Sequence, residues 1–343
     1  MIMNILVTGG AGFIASNYIR YALSVHPEDQ IINVDKLTYA GNLENLQDIE
    51  SSDRYTFIKG DICDSTLLEG IEFDGIIHFA AESHVDRSII DAHPFLQTNI
   101  MGTYNLLEIA RERDCLFLHV STDEVYGSTE KGFFHENSLL QPNSPYAASK
   151  ASSDLLVRAY METHNLKAMI TRCSNNYGPY QFPEKLIPLV ILNGINKKPI
   201  PVYGDGLNVR DWIYVIDHCR AVDDVFHKGT SGEVYNIGSR NERPNIDIVK
   251  LILKNVSELC NLDEGGLMDL ITYVEDRKGH DRRYAIDPEK IEQEVRWKPE
   301  MDFNEGIRRT IEWYISHEQW WQRIISGEYM KYYNVQYGER LKA

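Results

Sequence analysis

Two groups of residues in this 343-residue chain have the types and spacing to move protons on a small molecule. Tyr146 and Lys150 stand four apart in a segment that opens with Ser144-Pro145 and reads as helix to about Thr163. Both side chains therefore fall on one helical face, one turn apart. A phenol with a reference pKa of about 10 is a poor base at neutral pH, but a neighbouring ammonium and a cationic nicotinamide would favour the phenolate. The second group is Ser121-Thr122-Asp123-Glu124. Adjacent carboxylates repel, so one of the two has a raised pKa and keeps a proton. Such acid–base help is worth about 10²–10⁴-fold per group. Each pattern also has a plain reading, a common helical pairing and two solvated acids at a strand end. The chain must also leave its strand at Thr122–Glu124 for both acids to reach one ligand, because strand neighbours point to opposite faces.

Both groups gain weight from the start of the chain. Thr8-Gly9-Gly10-Ala11-Gly12-Phe13-Ile14-Ala15 lies between a strand-like run and a helical pattern. Glycines there let backbone approach a pyrophosphate, whose charge the helix N-terminal amides stabilise. Asp35, at the end of the second strand-like run, can accept both hydroxyls of an adenosine ribose and would repel a 2′-phosphate. NAD is favoured over NADP, with Lys36 next door as the opposing signal. Asp61-Ile62 is a candidate for the adenine edge, or Asp61 is a helix N-cap.

The elements that must hold these residues are legible in the alternation of apolar runs. Strands are expected at Asn4–Thr8, Ile31–Asp35, Tyr55–Lys59, Gly75–Ala80, Leu116–Ser121 and Ala168–Cys173, with helices beginning near Gly12, Asp64, Pro94 and Pro145. That spacing implies βαβ units and a parallel sheet covered on both faces. After Cys173 the chain is rich in Pro, Gly, Asn and Tyr, with a helix around Glu184–Asn196, a strand at Glu233–Ile237, and helices near Asn245–Leu259, Pro288–Val295 and Asn304–Arg323. The fold class expected is α/β: a Rossmann-type doubly wound parallel sheet over 1–174, then a smaller mixed α/β domain over 175–343 that supplies the substrate side of a cleft. The boundary is soft, since later strands can return to the first sheet.

Composition narrows the partners. The formal charge is −16, from 51 acidic and 35 basic residues, which argues against a general nucleic-acid or anionic-membrane binder. Any anionic ligand must then be held by local cations and backbone amides. Five scattered cysteines without a Cys-x-x-Cys pair read as reduced thiols in a cytosolic protein. No basic leader and no apolar run of about 18 residues is present, so a cytoplasmic location is expected. No metal-hydrolase, phosphate-loop lysine or nucleophile-elbow motif occurs, so no metal is expected.

Several longer stretches carry a resemblance. The glycine loop, Asp35 and Tyr146-x-x-x-Lys150 resemble the extended short-chain dehydrogenase/reductases. Within that group the chain is similar to the dTDP-glucose 4,6-dehydratase family over Asp35–Asn42, Ala80–Ser88, Ser121–Gly127, Asn175–Tyr180 and Gly279–Tyr284. The resemblance implies a redox-neutral dehydration of dTDP-glucose with NAD: oxidation at sugar C4, removal of the acidified C5 hydrogen, loss of the C6 hydroxyl and return of hydride to C6. By that analogy Tyr146 is the first base, Lys150 supports it and holds the nicotinamide ribose, Thr122 hydrogen-bonds the 4-hydroxyl, Glu124 removes the C5 proton and Asp123 protonates the leaving hydroxyl. Related 4-epimerases keep the Tyr and Lys but generally lack the Asp-Glu pair.

The same analogy implies cofactor contacts from Gly9, Gly12, Phe13, Ile14, Asp35, Lys36, Leu37, Thr38, Asp61, Ile62, Ala80, Ala81, Thr98, Tyr146, Lys150 and Asn176. Thr98 and Asn99 have a second reading as buried helix-interior polar residues. On the substrate side it implies Ser83, Thr122, Asn175, Lys185, Leu186, Pro201, Tyr203, Arg210, Asn245, Arg277 and His280. Arg210-Asp211 reads equally as a surface ion pair, and His280 as a satisfied loop histidine. Three departures stand out: Ala15 at the third loop position, Lys278 where the family usually has Pro, and a stretch from Ser257 to Leu270 without a usable motif. Trp297, Trp313, Trp320 and Trp321 read as C-terminal packing. The two helices Pro94–Arg113 and Tyr146–Thr163 carry apolar residues on more than one face, among them Phe95, Leu96, Tyr104, Leu106, Leu107, Ile109, Leu155, Leu156 and Tyr160. A second covered face suggests a homodimer through two helices per subunit, as the family usually pairs; the alternative is a wide stripe buried within one subunit.

Overall fold

Short strands buried on both faces build the centre of the protein. In the computed structural model, which describes residues 2–325, 328–338 and 341, seven strands form one sheet. They are β1 (Asn4–Thr8), β2 (Gln30–Asp35), β3 (Tyr55–Lys59), β4 (Gly75–His78), β5 (Leu116–Thr122), β6 (Ala168–Cys173) and, after three further strands, β10 (Val234–Ile237). Their order is β10-β6-β5-β4-β1-β2-β3, with every neighbour parallel. The expected doubly wound sheet is what the chain forms, and β10 returns to it from the second half.

The two faces of the sheet bury different residues of the same strands. Ile5, Val7, Ile77, Leu118 and Val120 face a core shared with α1 (Phe13–Val25) and α7 (Val215–Lys228). Leu6, Ile76, Phe117 and Ile170 face the other way, onto α4 (Thr103–Arg113) and α5 (Pro145–His164). α5 starts where the sequence indicates: the Ser144 hydroxyl accepts from the Ala147 N–H at 3.1 Å, and Pro145 occupies the first turn.

Several elements differ from expectation. No helix forms near Asp64. Asp61 and Asp64 each accept the backbone N–H two residues on, at 3.0 Å to Cys63 and to Thr66, and these local bonds compete with helical ones. The helix expected over 94–113 begins as α3 (His93–Phe95), widens to a π-helix over Leu96–Gly102 and continues as α4. α2 (Val85–Ile90) and α7 were not anticipated. Neither has a capping side chain, so the start signal is missing although the apolar period is present.

The second half adds β7 (Asn175–Tyr177), β8 (Ile200–Tyr203), β9 (Val209–Tyr214), β11 (Glu242–Pro244) and β12 (Ile271–Val274), with α6 (Leu186–Ile195), α8 (Asn245–Cys260), α9 (Glu264–Met268), α10 (Glu289–Glu294), α11 (Phe303–Ser316), α12 (Glu318–Ile324) and α13 (Glu328–Tyr337). The strands form a β11-β9-β7 sheet and a β12-β8 pair. The single helix expected over 304–323 breaks at His317 into α11 and α12. α6, α8 and α11 share a separate core that includes buried Trp320 and Trp321, while Trp297 packs under α7. The tryptophans are packing residues, as expected. Among the described residues no helix is long and apolar enough to cross a membrane, and all five cysteines are unpaired.

Candidate active site

The carboxyl ends of β1, β2, β4, β5 and β6 open into one cavity of about 290 Å³. Its floor is the glycine turn. Gly9 has φ +74°, and a Cβ there would stand 2.7 Å from the Ala80 Cα, so only glycine lets the turn and the β4 end approach this closely. Asp35 is placed by two backbone donors, Ala11 N–H on Oδ2 at 2.9 Å and Leu37 N–H on Oδ1 at 2.7 Å. Each oxygen keeps a lone pair for a ligand hydroxyl. Burial pushes this carboxyl up, against the pull of those two N–H groups. Lys36 is held by Asp61 at 2.6 Å, so its charge is already matched and does not mark a site for an extra phosphate.

Of the residues expected to touch a cofactor, Gly9, Gly12, Phe13, Ile14, Asp35, Lys36, Thr38, Asp61, Ile62, Ala80, Ala81, Thr98, Tyr146, Lys150 and Asn176 all line this cavity. Leu37 does not. It sits at φ +58° with its side chain against the sheet core and acts through its N–H on Asp35. Asp61 caps no helix; its carboxylate is taken by Cys63 N–H and Lys36. Asn99 is the buried helix-interior residue of the two alternatives, bonded to the Glu82 backbone and to Ser149.

The residues expected to move protons meet at the cavity's inner wall. β5 ends at Thr122 and turns at once into a 3₁₀ helix over Asp123–Tyr126, with the Thr122 hydroxyl accepting from Glu124 N–H at 3.3 Å. That turn is a departure from the strand where the sequence placed one, but it brings only one of the two acids to the cavity. It sends Thr122 and Glu124 to the cavity and Asp123 behind its wall, with Oδ2 buried and without a hydrogen bond. Burial and the neighbouring Glu124 charge hold the Asp123 carboxyl well above the usual carboxylate range. Asp123 is therefore the acid of the pair that keeps its proton.

Tyr146 and Lys150 are both buried on the inner face of α5. Burial first, then Glu124, push the phenol well above 10, with a hydrogen bond from Thr122 pulling the other way. Burial lowers Lys150 to about 8 against the pull of Asp154. Its ammonium donates to Val120 C=O at 2.9 Å and lies 3.4 Å from His119 Nε2. Lys150 thus carries most of its charge at neutral pH while being the easier of the two to deprotonate.

A second cavity of about 150 Å³ adjoins the first, and Glu124, Asn175, Asn176 and Lys185 line both. Leu186, Pro201, Tyr203, Arg210, Asn245, Arg277 and His280 complete the expected substrate set here, while Ser83 lies on the first cavity. Arg210 and Asp211 are buried and do not pair. Arg210 donates to Asp281 C=O at 2.8 Å and stacks over Tyr284, whereas Asp211 accepts from Ser239 and Asn241. His280 is not a cation: burial and Arg277 push it down to about 4, and Asp276 holds it at 2.6 Å. Lys278 is exposed in the turn before it and lines neither cavity.

Sequence reasoning missed Asp86, whose carboxylate lies 3.6 Å from Arg277 and accepts from the Tyr203 hydroxyl at 3.1 Å. It also missed Glu184, which pairs with Arg87 at 2.9 Å. Asp86 and Arg87 lie inside the quoted 80–88 stretch, but nothing local links them to partners about 100 to 190 residues away. The site also leaves Arg277 Nε buried without a partner, a donor that a phosphate oxygen would satisfy, together with the acceptors Asn175 Oδ1 and Asn245 Oδ1, which hydroxyl or base N–H donors of a nucleotide sugar would satisfy. The glycine turn, the doubly supported Asp35 and the matched Lys36 fit NAD through close backbone approach, a carboxylate for ribose hydroxyls and no spare cation for a 2′-phosphate.

The chain has close relatives among known proteins. The profile of the GDP-mannose 4,6 dehydratase family matches residues 6–310. A dTDP-glucose 4,6-dehydratase of Escherichia coli is 51% identical, the match covering 99% of each chain. Two solved structures superpose closely. The dTDP-glucose 4,6-dehydratase of Streptomyces venezuelae, with NAD bound, has a TM-score of 0.89 at 46% identity over 94% of this chain and 100% of that one. The enzyme of the same name from Bacillus anthracis, in complex with NAD, has a TM-score of 0.85 at 47% identity over 94% of this chain and 99% of that one.

Proposed function

Since the chain belongs to the dTDP-glucose 4,6-dehydratase family, we propose that it converts dTDP-glucose to dTDP-4-keto-6-deoxyglucose with NAD as its cofactor. The observation that carries this reading is Glu124, which lines both cavities beside Thr122 and Tyr146 and directly follows a buried Asp123, its carboxyl pushed well up by burial and Glu124. A 4-epimerase needs only the Tyr and Lys; a dehydratase needs an additional base and an additional acid. When bound, NAD supplies a reversible two-electron acceptor beside the sugar ring.

The protein's own residues supply the proton transfers. Thr122 and Tyr146 hold the 4-hydroxyl, and Tyr146 takes its proton. Burial opposes the phenolate, so the positive charge of Lys150 one turn along is what makes that transfer accessible. Once C4 is a ketone, the C5 hydrogen is acidic, and Glu124 removes it. Asp123 then delivers a proton toward the C6 hydroxyl as water leaves. This delivery needs Asp123 to come forward from behind the wall, or a water to bridge from its carboxyl to the cavity. Arg210, Arg277 and Lys185 set the diphosphate, with Asn175 and Asn245 as neutral donors, and Pro201 and Tyr203 flank the base.

In this reading residues 1–174 hold the cofactor and 175–343 mostly hold the nucleotide sugar, with α7 and β10 returned to the cofactor half. The reaction belongs in the cytoplasm, where the five free thiols stay reduced. The active form is a homodimer through the outer faces of the π-helix–α4 segment and α5. Leu96, Met101, Tyr104 and Leu155 are 47%, 48%, 43% and 57% exposed there. The rest of the expected apolar set divides otherwise: Phe95, Leu106, Leu107 and Tyr160 are buried within the subunit, and Ile109 and Leu156 pack partly against its core.

The test is incubation of the purified chain with dTDP-glucose, UDP-glucose and GDP-mannose, with and without added NAD. The expected result is a 4-keto-6-deoxy product from dTDP-glucose. Formation of dTDP-galactose instead would mean epimerisation, and turnover of only another nucleotide sugar would move the substrate assignment.

A further inference from the structure

Away from the cleft, α1 and α7 lie side by side on one face of the sheet, and three metal-ligating side chains converge where they meet. His26 caps the carboxyl end of α1, and Asp223 and His227 stand four apart, one turn along α7. His26 Nε2 lies 3.0 and 2.9 Å from the two Asp223 oxygens. His227 Nδ1 lies 3.6 Å from Asp223 Oδ1. The two imidazoles stack, with centroids 4.4 Å apart and planes at 30°. Among the described residues this is the only group of three or more such side chains whose ligand atoms all lie within 4.8 Å of one another.

We propose that His26, Asp223 and His227 form a binding site for a divalent transition-metal ion of the zinc type. A metal with bonds of about 2.0–2.2 Å to imidazole nitrogen and carboxylate oxygen sets neighbouring tetrahedral ligand atoms roughly 3.4 Å apart. The Asp223–imidazole distances of 2.9 to 3.6 Å lie around that spacing, and all three ligand atoms fall within 4.8 Å of one another. Two neutral imidazoles with one carboxylate suit Zn²⁺, Co²⁺, Ni²⁺ or Cu²⁺ over Mg²⁺ or Ca²⁺, which take oxygen ligands. The Asp223 side chain is 7% exposed while the two histidines are 28% and 23% exposed. The carboxylate is therefore fixed, and the imidazole side stays open to an incoming ion and to water as a further ligand. Surrounding bonds hold the frame: Arg54 donates to the His26 C=O at 2.9 Å, and the Tyr18 hydroxyl lies 3.5 Å from Asp223 Oδ1. His227 Nδ1 shares its bond with the Asp223 C=O at 2.9 Å, and metal binding releases that contact.

The site is structural in kind. α1 has 13 residues, so its carboxyl end is about 20 Å from the glycine turn at its start. A bound ion would pin the α1 end to α7, a helix from the second half of the chain, without touching the reaction. An ion that binds only the folded state raises the melting temperature.

The experiment uses the tag-free, full-length chain, stripped with a chelator and titrated with Zn²⁺ against a chromophoric competitor, with Co²⁺ as the spectroscopic probe. Expected are one Zn²⁺ per chain, a rise in Tm on addition and Co²⁺ ligand-field bands in the visible. His227→Ala and Asp223→Asn should lose at least about tenfold in affinity, as metal-site lesions do, with the Tm response gone and turnover unchanged. His227 is partly exposed, so its variant carries the test even if Asp223→Asn unfolds. The proposal fails if the wild-type chain shows no one-to-one binding, or if His227→Ala binds Zn²⁺ as tightly as wild type. In either case the cluster is a hydrogen-bonded ion pair and nothing more.

Discussion

At the scale of single residues, the neighbours Asp123 and Glu124 are divided by burial into different jobs. The 3₁₀ turn sends Glu124 to the cavities and Asp123 behind them, and the buried acid keeps its proton. Glu124→Gln should therefore abolish wash-in of solvent deuterium at C5 and cut turnover by about 10²–10⁴-fold. Asp123→Asn should leave that exchange running while the 4-keto-6-deoxy product forms slowly. NMR of the recovered sugar separates the two, and unimpaired exchange in Glu124→Gln would remove it from the mechanism. Lys150 gives a second test, through pH. Its folded value of about 8 lies below the ordinary 10.5, and the gap corresponds to at most about 3 to 4 kcal/mol. Below pH 8 the folded and unfolded chains both carry the proton, so the cost of burying the ammonium is full; it fades as pH rises from 8 towards 10.5. Lys150→Met leaves Asp154 paired with Arg172 at 2.8 Å. The unliganded variant should thus be more stable than wild type in urea at pH 7 and should lose that advantage by pH 10. An advantage that persisted at pH 10 would assign it to packing.

At the scale of elements, the π-helix over Leu96–Gly102 shows how a local irregularity serves the site. It brings Asn99 inward to accept from Glu82 N–H at 2.9 Å and to donate to Glu82 C=O at 3.0 Å and to the Ser149 hydroxyl at 2.8 Å. One side chain thereby joins the loop after β4 to α5, the helix that carries Tyr146 and Lys150. Asn99→Ala strands buried partners on both, so a loss of about 2–4 kcal/mol in urea unfolding is expected; a change below 1 kcal/mol would mean water replaces the amide. Nothing in the sequence announces the π segment, because its residues read as ordinary helix. What was legible followed from repeated local signals: short β-branched apolar runs for β1 to β6, the Ser144-Pro145 cap for α5, and the glycine turn before α1. Elements without such signals were lost, including uncapped α7 and the short strands β8, β9, β11 and β12, whose stability comes from tertiary contact. The same division applies to the site. Residues on the glycine turn and on α5 were readable from spacing, whereas Asp86 and Glu184 matter through Arg277, Tyr203 and Arg87, pairings that only the folded chain reveals.

At the scale of the whole molecule, α5 faces two ways, and in the proposed homodimer its outward face would tie the helix that carries Tyr146 and Lys150 to a second subunit. Tyr146, Lys150, Ser153 and Val157 are buried on its inner side. Outward, Ala148, Ser152, Leu155 and Ala159 recur at intervals of three and four, with Ala148, Leu155 and Ala159 exposed. Small side chains at that spacing let another helix approach closely, and Leu155 with Met101 and Tyr104 supplies apolar area that a monomer would leave in water. In the proposed dimer a two-fold axis between paired copies of this face would satisfy both helices at once, since the same patch would then serve on each partner. A charge placed in such a seam is desolvated without a partner and costs several kcal/mol per copy. Leu155→Glu should accordingly run as a monomer in light scattering at concentrations where the wild-type chain is a dimer, while far-ultraviolet circular dichroism stays unchanged because Leu155 touches little of its own subunit's core. A wild-type chain that is monomeric at high concentration, or a Leu155→Glu variant that remains dimeric, would move the interface elsewhere. Turnover separates two roles for the partner. If pairing only holds two complete sites together, the monomeric variant keeps its rate. If it stiffens α5, turnover falls while the dTDP-glucose KM holds, and the loss should be largest at the step Tyr146 performs.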